Sequence, residues 1–281
     1  MSQNKKNNTL AFTDFVLSRR AKLCSESTIR IYKFTLGRFL DFLADRNPEA
    51  RFVREFLAGL VERQLSDSYI SIHARVIKTF LRFCYAEGYT ENQVRFDMPR
   101  IGRKSLSFLK PEQLPTILNA CRTKRDKAII LFMVDSGLRR AEVCDLRWND
   151  IDINSGVVNV RKGKGGKSRI VVIGVKARRA LLAYAREIDA DGSVFGLTAN
   201  GLRSMILRIS TETGIKFTPH SLRRTFATLS LKAGMNLVHI QGLMGHSSIE
   251  MTRDYIQALT EDYIEAHNEH SPIDKFYPLK S

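Results

Sequence analysis

"RKGKGGKSRIVVI", residues 161–173, decides between two folds. Its Gly166-Lys167-Ser168 matches the end of a nucleotide-binding loop. That loop needs a glycine five positions before the second one, and a helix must follow. Position 161 is Arg161, and the residues after Ser168 are Arg169, Ile170, Val171, Val172 and Ile173. A β-branched run of this kind predicts a strand, not a helix. Upstream, Val157, Val158 and Val160 predict another. The segment therefore reads as a β-hairpin with a tip rich in glycine and lysine, and the nucleotide loop is excluded. What remains is the reason for Lys162, Lys164 and Lys167 at that tip.

The composition supplies a direction. Lysine and arginine total 45 against 29 acidic residues, a net charge of +16 over 281 residues. A charge this far from zero suits a polyanion, either nucleic acid or an anionic membrane surface. The longest apolar run, Ala128 to Val134, is far too short to span a bilayer, and the start "MSQNKKNNTLAF" lacks the apolar core of a secretion signal. A membrane partner is therefore not expected. Cys24, Cys84, Cys121 and Cys144 are scattered with no C-x-x-C pair. This fits reduced thiols in a cytoplasm and argues against a structural zinc site.

Outward from the hairpin, the chain divides. Residues 1–8 are polar and expected to be disordered. Residues 9–88 predict a helical domain: Ile29, Tyr32, Leu36, Phe39 and Leu43 recur at helical steps, as do Ile70, Ala74, Ile77, Leu81 and Tyr85. Arg30, Lys33, Arg38, Arg75, Lys78 and Arg82 lie off these faces, as a solvated surface or one that meets phosphates. Residues 89–107 lose periodicity and read as a basic linker. Residues 108–268 alternate helices with the hairpin, and residues 269–281 form a tail that keeps Phe276, Tyr277 and Leu279. The expected class is mainly α with a small β-sheet.

Four stretches carry chemistry. In "SGLRRAEV", residues 136–143, Glu142 follows Arg139 by three. The hairpin tip brings the lysines. In "TPHSLRRTFATLSLKAG", residues 218–234, Thr218 caps a helix, Pro219 fits its first turn and Gly234 its stop. That places His220 and Arg223 on one face, at the helix's positive end, where an anion is favoured. In "GHSSIEMTRDYI", residues 245–256, Gly245 ends one helix. Ser247 and Glu250 form a capping box for the next, and Tyr255 follows in that helix or just after it. Each residue alone suits a structural role; the set in this order does not.

The succession "HSLRRTFAT", "LMGHSS" and T-x-x-Y resembles the tyrosine recombinases of the lambda-integrase class, especially their compact Xer-like members. The resemblance runs from about residue 9 to 266 and is strongest from Gly137 to Tyr255. It implies a helical core-binding domain and a catalytic domain that together clamp double-stranded DNA. It also implies a tetramer, of this chain alone or mixed with a second recombinase, in which each tail docks on a neighbour. On this resemblance Arg139 and Arg223 are the catalytic arginines, Glu142 supports them, and Lys164 is the general acid. His220 and His246 are the two histidines, and Tyr255 is the nucleophile. Lys162 and Lys167 compete with Lys164, and Tyr263 is a distant second to Tyr255.

The implied activity is strand cleavage and rejoining through a covalent 3′-phosphotyrosine, with no cofactor, metal or ATP, in the cytoplasm. Three alternatives stay open: a type IB topoisomerase, a non-catalytic DNA-binding regulator, and a metal-dependent nuclease.

Overall fold

A computed structural model describes residues 3–100, 107–161, 168–188 and 192–245. The chain divides into two compact units, with the boundary in the sequence after residue 103.

The first unit is four helices: α1 (Gln3–Ala21), α2 (Glu26–Leu43), α3 (Ala50–Glu62) and α4 (Asp67–Ala86). Ser25 and Ser66 start α2 and α4, each accepting a backbone N–H three residues on, at 3.3 Å. Such caps satisfy donors that the helix itself leaves open. The core forms around Phe15, fully buried and edge-on to Tyr32, Phe80 and Phe83 at centroid distances of 5.2, 5.5 and 5.3 Å. On α2, Ile29, Leu36, Phe39 and Leu43 are buried, while Arg30 and Lys33 stay exposed. On α4, Ile70, Ala74, Ile77 and Leu81 are buried.

Three expectations are corrected here. Residues 3–8 are not disordered but open α1. Two of their asparagines have tertiary partners, with Asn7 donating to the Tyr89 carbonyl at 3.2 Å and Asn8 to that of Arg46 at 3.1 Å. Tyr85 is 47% exposed, and Cys84 takes the buried position instead. The core drifts across the helix because 3.6 residues per turn do not divide the spacing evenly. The start of the expected linker is part of the first core: Phe96 is buried, with Tyr89, Val94 and Met98 packed beside it. The Tyr89 hydroxyl also donates to Asp14 of α1.

The second unit is built around α6 (Lys124–Ser136), whose Ala128, Ile129, Ile130, Phe132 and Met133 are all fully buried. Against it pack α8 (Val175–Ala185) and α10 (Pro219–Lys232). The short α5 (Gln113–Asn119) and α7 (Arg140–Asp145) contact α9 (Ala199–Thr213), and α11 (Leu237–Met244) meets both α10 and the sheet.

The sheet is antiparallel in the order β1 (Ile151–Asp152), β2 (Val157–Val160), β3 (Arg169–Val172). The expected hairpin is β2–β3, with Val160 opposite Arg169 and Val157 opposite Val172. Alternation sets the faces. Val158, Val160 and Val171 are buried, while Ile170 and Val172 are outside. Arg169 falls in phase with Val171, so its side chain starts out on the inner face.

Candidate functional site

The site begins where α6 stops. Gly137 caps α6 with φ +62°, a conformation that glycine adopts at no steric cost. A Cβ there would meet the Phe226 ring at 2.4 Å, so the turn also needs glycine for space. The chain reverses and Arg139 becomes the residue before α7. Glu142, in the first turn of α7, accepts the Arg139 backbone N–H at 2.7 Å and its Nη1 at 2.8 Å.

Arg223 comes from the first turns of α10. Thr218 caps that helix, accepting the Ser221 N–H at 3.1 Å, and Pro219 occupies its first position. Arg223 is 3% exposed. Its guanidinium donates to the Gly137 and Met244 carbonyls. Arg139 Nη2 donates to the Gly245 carbonyl at 2.7 Å. Both arginines are thus held by carbonyls at helix C-termini, where unsatisfied acceptors and the negative dipole end favour a cation.

These residues open onto a cleft of about 660 Å³ whose walls include Arg139, Arg140, Arg203, His220 and Arg223, with Thr218 and Phe217. Among the described residues that line it, none is a carboxylate. His220 stands exposed at the start of α10. Partial desolvation, then the charges of Arg224 and Arg223, pull its pKa below 6.5. It is therefore mostly neutral at pH 7, with one ring nitrogen free to accept a proton. A second, larger cleft of about 760 Å³ borders Glu142, Asp145 and Asp150. Its carboxylates make it the poorer host for a polyanion.

One residue bonded into the site escapes the sequence reading. Arg169 donates from Nη1 and Nη2 to both oxygens of Glu142 at 2.7 Å, and from Nε to the Leu243 carbonyl at 2.8 Å. Burial would raise the Glu142 pKa. The bonds from Arg169 and Arg139 outweigh it and hold the carboxyl at about 2. Arg169 and Arg139 share this one carboxylate, so their neighbourhood stays positive.

The structure thus brings Arg139, Glu142, His220 and Arg223 together. Of the paired arginines, Arg139 and Arg223 hold the interior positions, with Arg140 exposed and Arg224 half-buried. Lys164, His246 and Tyr255, with their competitors Lys162, Lys167 and Tyr263, lie outside the described residues, as does the tail. Gly245, the residue before His246, ends α11 with φ +63°. Among the described residues no His, Cys, Asp or Glu cluster suits a metal ion, and no helix is long and apolar enough to cross a membrane.

Comparison with known proteins decides the family. Residues 107–262 match the phage integrase family model, and this span contains the whole site. The chain belongs to the phage integrase family of tyrosine recombinases. Tyrosine recombinase XerA of Saccharolobus solfataricus is 30% identical to this integrase-family chain, over 84% of each protein. Tyrosine recombinase XerC of Oceanobacillus iheyensis is 32% identical over 88% of this chain and 92% of its own. The fold recurs in the Tn1549 transposon integrase in complex with transposon right end DNA. That match has a TM-score of 0.77 at 19% identity, covering 92% of this chain and 97% of the other. A lambda integrase dimer bound to a core site matches with a TM-score of 0.73 at 18% identity, covering 88% and 76%.

Proposed function

We propose that this family member recombines DNA at a specific site by cutting and rejoining strands through a covalent 3′-phosphotyrosine on Tyr255. The observation that carries the reading is the cleft where Arg139, Arg223 and His220 meet at the start of α10, with no carboxylate among its described lining residues.

A phosphodiester resists attack because its charge repels nucleophiles and its leaving alkoxide is poor. Arg139 and Arg223 clamp the nonbridging oxygens with planar, permanently charged forks. Groups aimed at charge that grows in the transition state contribute about 3–4 kcal/mol each. In this reading the guanidiniums neutralise the charge that divalent metals handle in many nucleases, so metal and ATP are not needed.

Tyr255 attacks phosphorus. His220, neutral and facing the cleft, takes its proton or hydrogen-bonds the phosphate, and Lys164 protonates the leaving 5′-oxygen. His246 completes the oxyanion contacts. The phosphotyrosine conserves the bond energy until a 5′-hydroxyl from a second duplex reverses the step. Four subunits on two duplexes supply the partner strands, in the cytoplasm.

The test is exchange between two copies of a site on one plasmid, with the site drawn from genomic fragments the protein retains. Excision in a chelator without ATP is expected. Relaxation of supercoils without exchange would point to a topoisomerase, and loss of activity in the chelator to a metal-dependent nuclease.

A further inference from the structure

We propose that Arg169 is a positioning residue that locks the end of α11 to the Arg139 side of the site. The proposal deepens the recombinase reading and rests on it for the link to cleavage.

Three elements meet at this side chain. It leaves the inner face of β3 and is 11% exposed. Its fork spans both oxygens of Glu142 at 2.7 Å, on α7. Its Nε reaches the Leu243 carbonyl at 2.8 Å, in the last turn of α11. Its Cδ lies 2.9 Å from where a Cβ on Gly245 would stand. Gly245 in turn presents its carbonyl to Arg139 at 2.7 Å, and Arg139 returns to Glu142 at 2.8 Å. The bonds therefore close a ring from Arg169 through Glu142, Arg139 and the end of α11 back to Arg169.

Arg169 does not line the cationic cleft, and its Nε, Nη1 and Nη2 are all engaged inside the ring. It acts through Arg139 and Gly245, not on the phosphate. The ring sets where Arg139 stands relative to the end of α11, from which the chain enters His246. A lysine in its place is a single point donor on a flexible stem and cannot span both carboxylate oxygens while holding Leu243. A simple ion pair would need only the charge.

Arg169→Lys, Arg169→Gln and the double variant Arg169→Gln/Glu142→Gln of the full chain separate these roles. The measurements are melting temperature, amide exchange at 139–145 and 243–245, DNA affinity, and covalent cleavage at saturating DNA. A misplacement of about 1 Å costs roughly 10²-fold in rate. We expect cleavage to fall by about that factor in Arg169→Lys, with DNA affinity kept within about threefold. The double variant is expected to recover melting temperature over Arg169→Gln, because no buried charge is left alone, but not cleavage. In Arg169→Gln, protection should drop at both segments together. Cleavage by Arg169→Lys within twofold of wild type, or recovery of cleavage with melting temperature in the double variant, would overturn the proposal. If wild type forms no adduct, the recombinase reading falls instead. The exchange arm then still decides the lock: unchanged protection at 243–245 in Arg169→Gln would refute it.

Discussion

Arg139 Nη2 lies 2.7 Å from the carbonyl oxygen of Gly245, a residue 106 positions later in the chain. The arrangement is reciprocal: Arg223, from α10, donates to the carbonyl of Gly137, which caps α6 two residues before Arg139. Two left-handed glycines thus hold the two guanidiniums that the proposed chemistry needs.

Substituting either glycine should disturb the clamp. The left-handed conformation costs a non-glycine residue about 1–2 kcal/mol. At Gly137 the Phe226 ring stands 2.4 Å from an added Cβ, and overpacking of that kind costs about 1–3 kcal/mol more. Gly137→Ala is expected to lower the melting temperature of the second unit strongly. Gly245→Ala meets a flexible arginine stem at 2.9 Å, so its stability loss should be the smaller one. Gly245→Asn tolerates the backbone angle but keeps the Cβ. If Gly245→Asn cleaves as slowly as Gly245→Ala, the contact with Arg169 matters; if it is fast, the backbone angle does.

Arg223→Lys keeps a positive charge and loses the fork. Loss of one such group costs about 10²–10³-fold in rate, with DNA affinity nearly kept, since many phosphate contacts share it. Single-turnover cleavage and a binding titration on the same DNA give both numbers. Equal losses in the two would mean that Arg223 binds the ground state as strongly as the transition state.

Glu142 gives the second unit a pH signature. Its folded pKa, about 2, lies below the ordinary 4.5. The stabilisation is therefore complete above about pH 6 and is lost as pH falls through 4.5 toward 2. Its full size is on the order of 3 kcal/mol. Trp148 is the chain's one tryptophan and lies in this unit, so its fluorescence reports the unit's unfolding. Glu142→Gln should flatten the slope between pH 5 and 3. His220, also depressed, adds a separate decline that starts near 6.5 and persists in that variant.

His73 sets a different window for the first unit. It is 1% exposed, beside Phe34, Phe56 and Tyr69. Nδ1 lies 3.0 Å from the Tyr69 carbonyl oxygen, and Nε2 has no hydrogen-bond partner among the described residues. Burial pulls its pKa below 6.5 against the opposing bond to Tyr69, and the Arg38 charge adds to the fall. The unfolded chain takes up the proton first, so stability declines as pH drops below 6.5. Protection factors in α4, corrected for the intrinsic slowing of amide exchange at lower pH, should fall from pH 7 to 5, and His73→Leu should remove most of that dependence.

Local signals made much of this readable. Ile29, Leu36, Phe39 and Leu43 announce α2 by spacing, Thr218 and Pro219 announce the start of α10, and the valines announce the hairpin. Those signals lie within a few residues of what they specify. Arg169 has none: its partners Glu142 and Leu243 are 27 and 74 positions away. In the sequence it is one more cation beside a lysine-rich tip. The two-residue β1 is too short to carry a pattern. The ordered start of α1 depends on Asn7 and Asn8 finding carbonyls at Tyr89 and Arg46, which composition does not encode.

The most direct measurement is covalent trapping. Wild type and Tyr255→Phe are incubated with a nicked duplex carrying the site, in a chelator, and denatured in detergent. A protein joined to the DNA 3′ end is expected in wild type only, with the linked peptide containing Tyr255. An adduct of equal yield in Tyr255→Phe, or a wild-type adduct that requires a divalent metal, would contradict it.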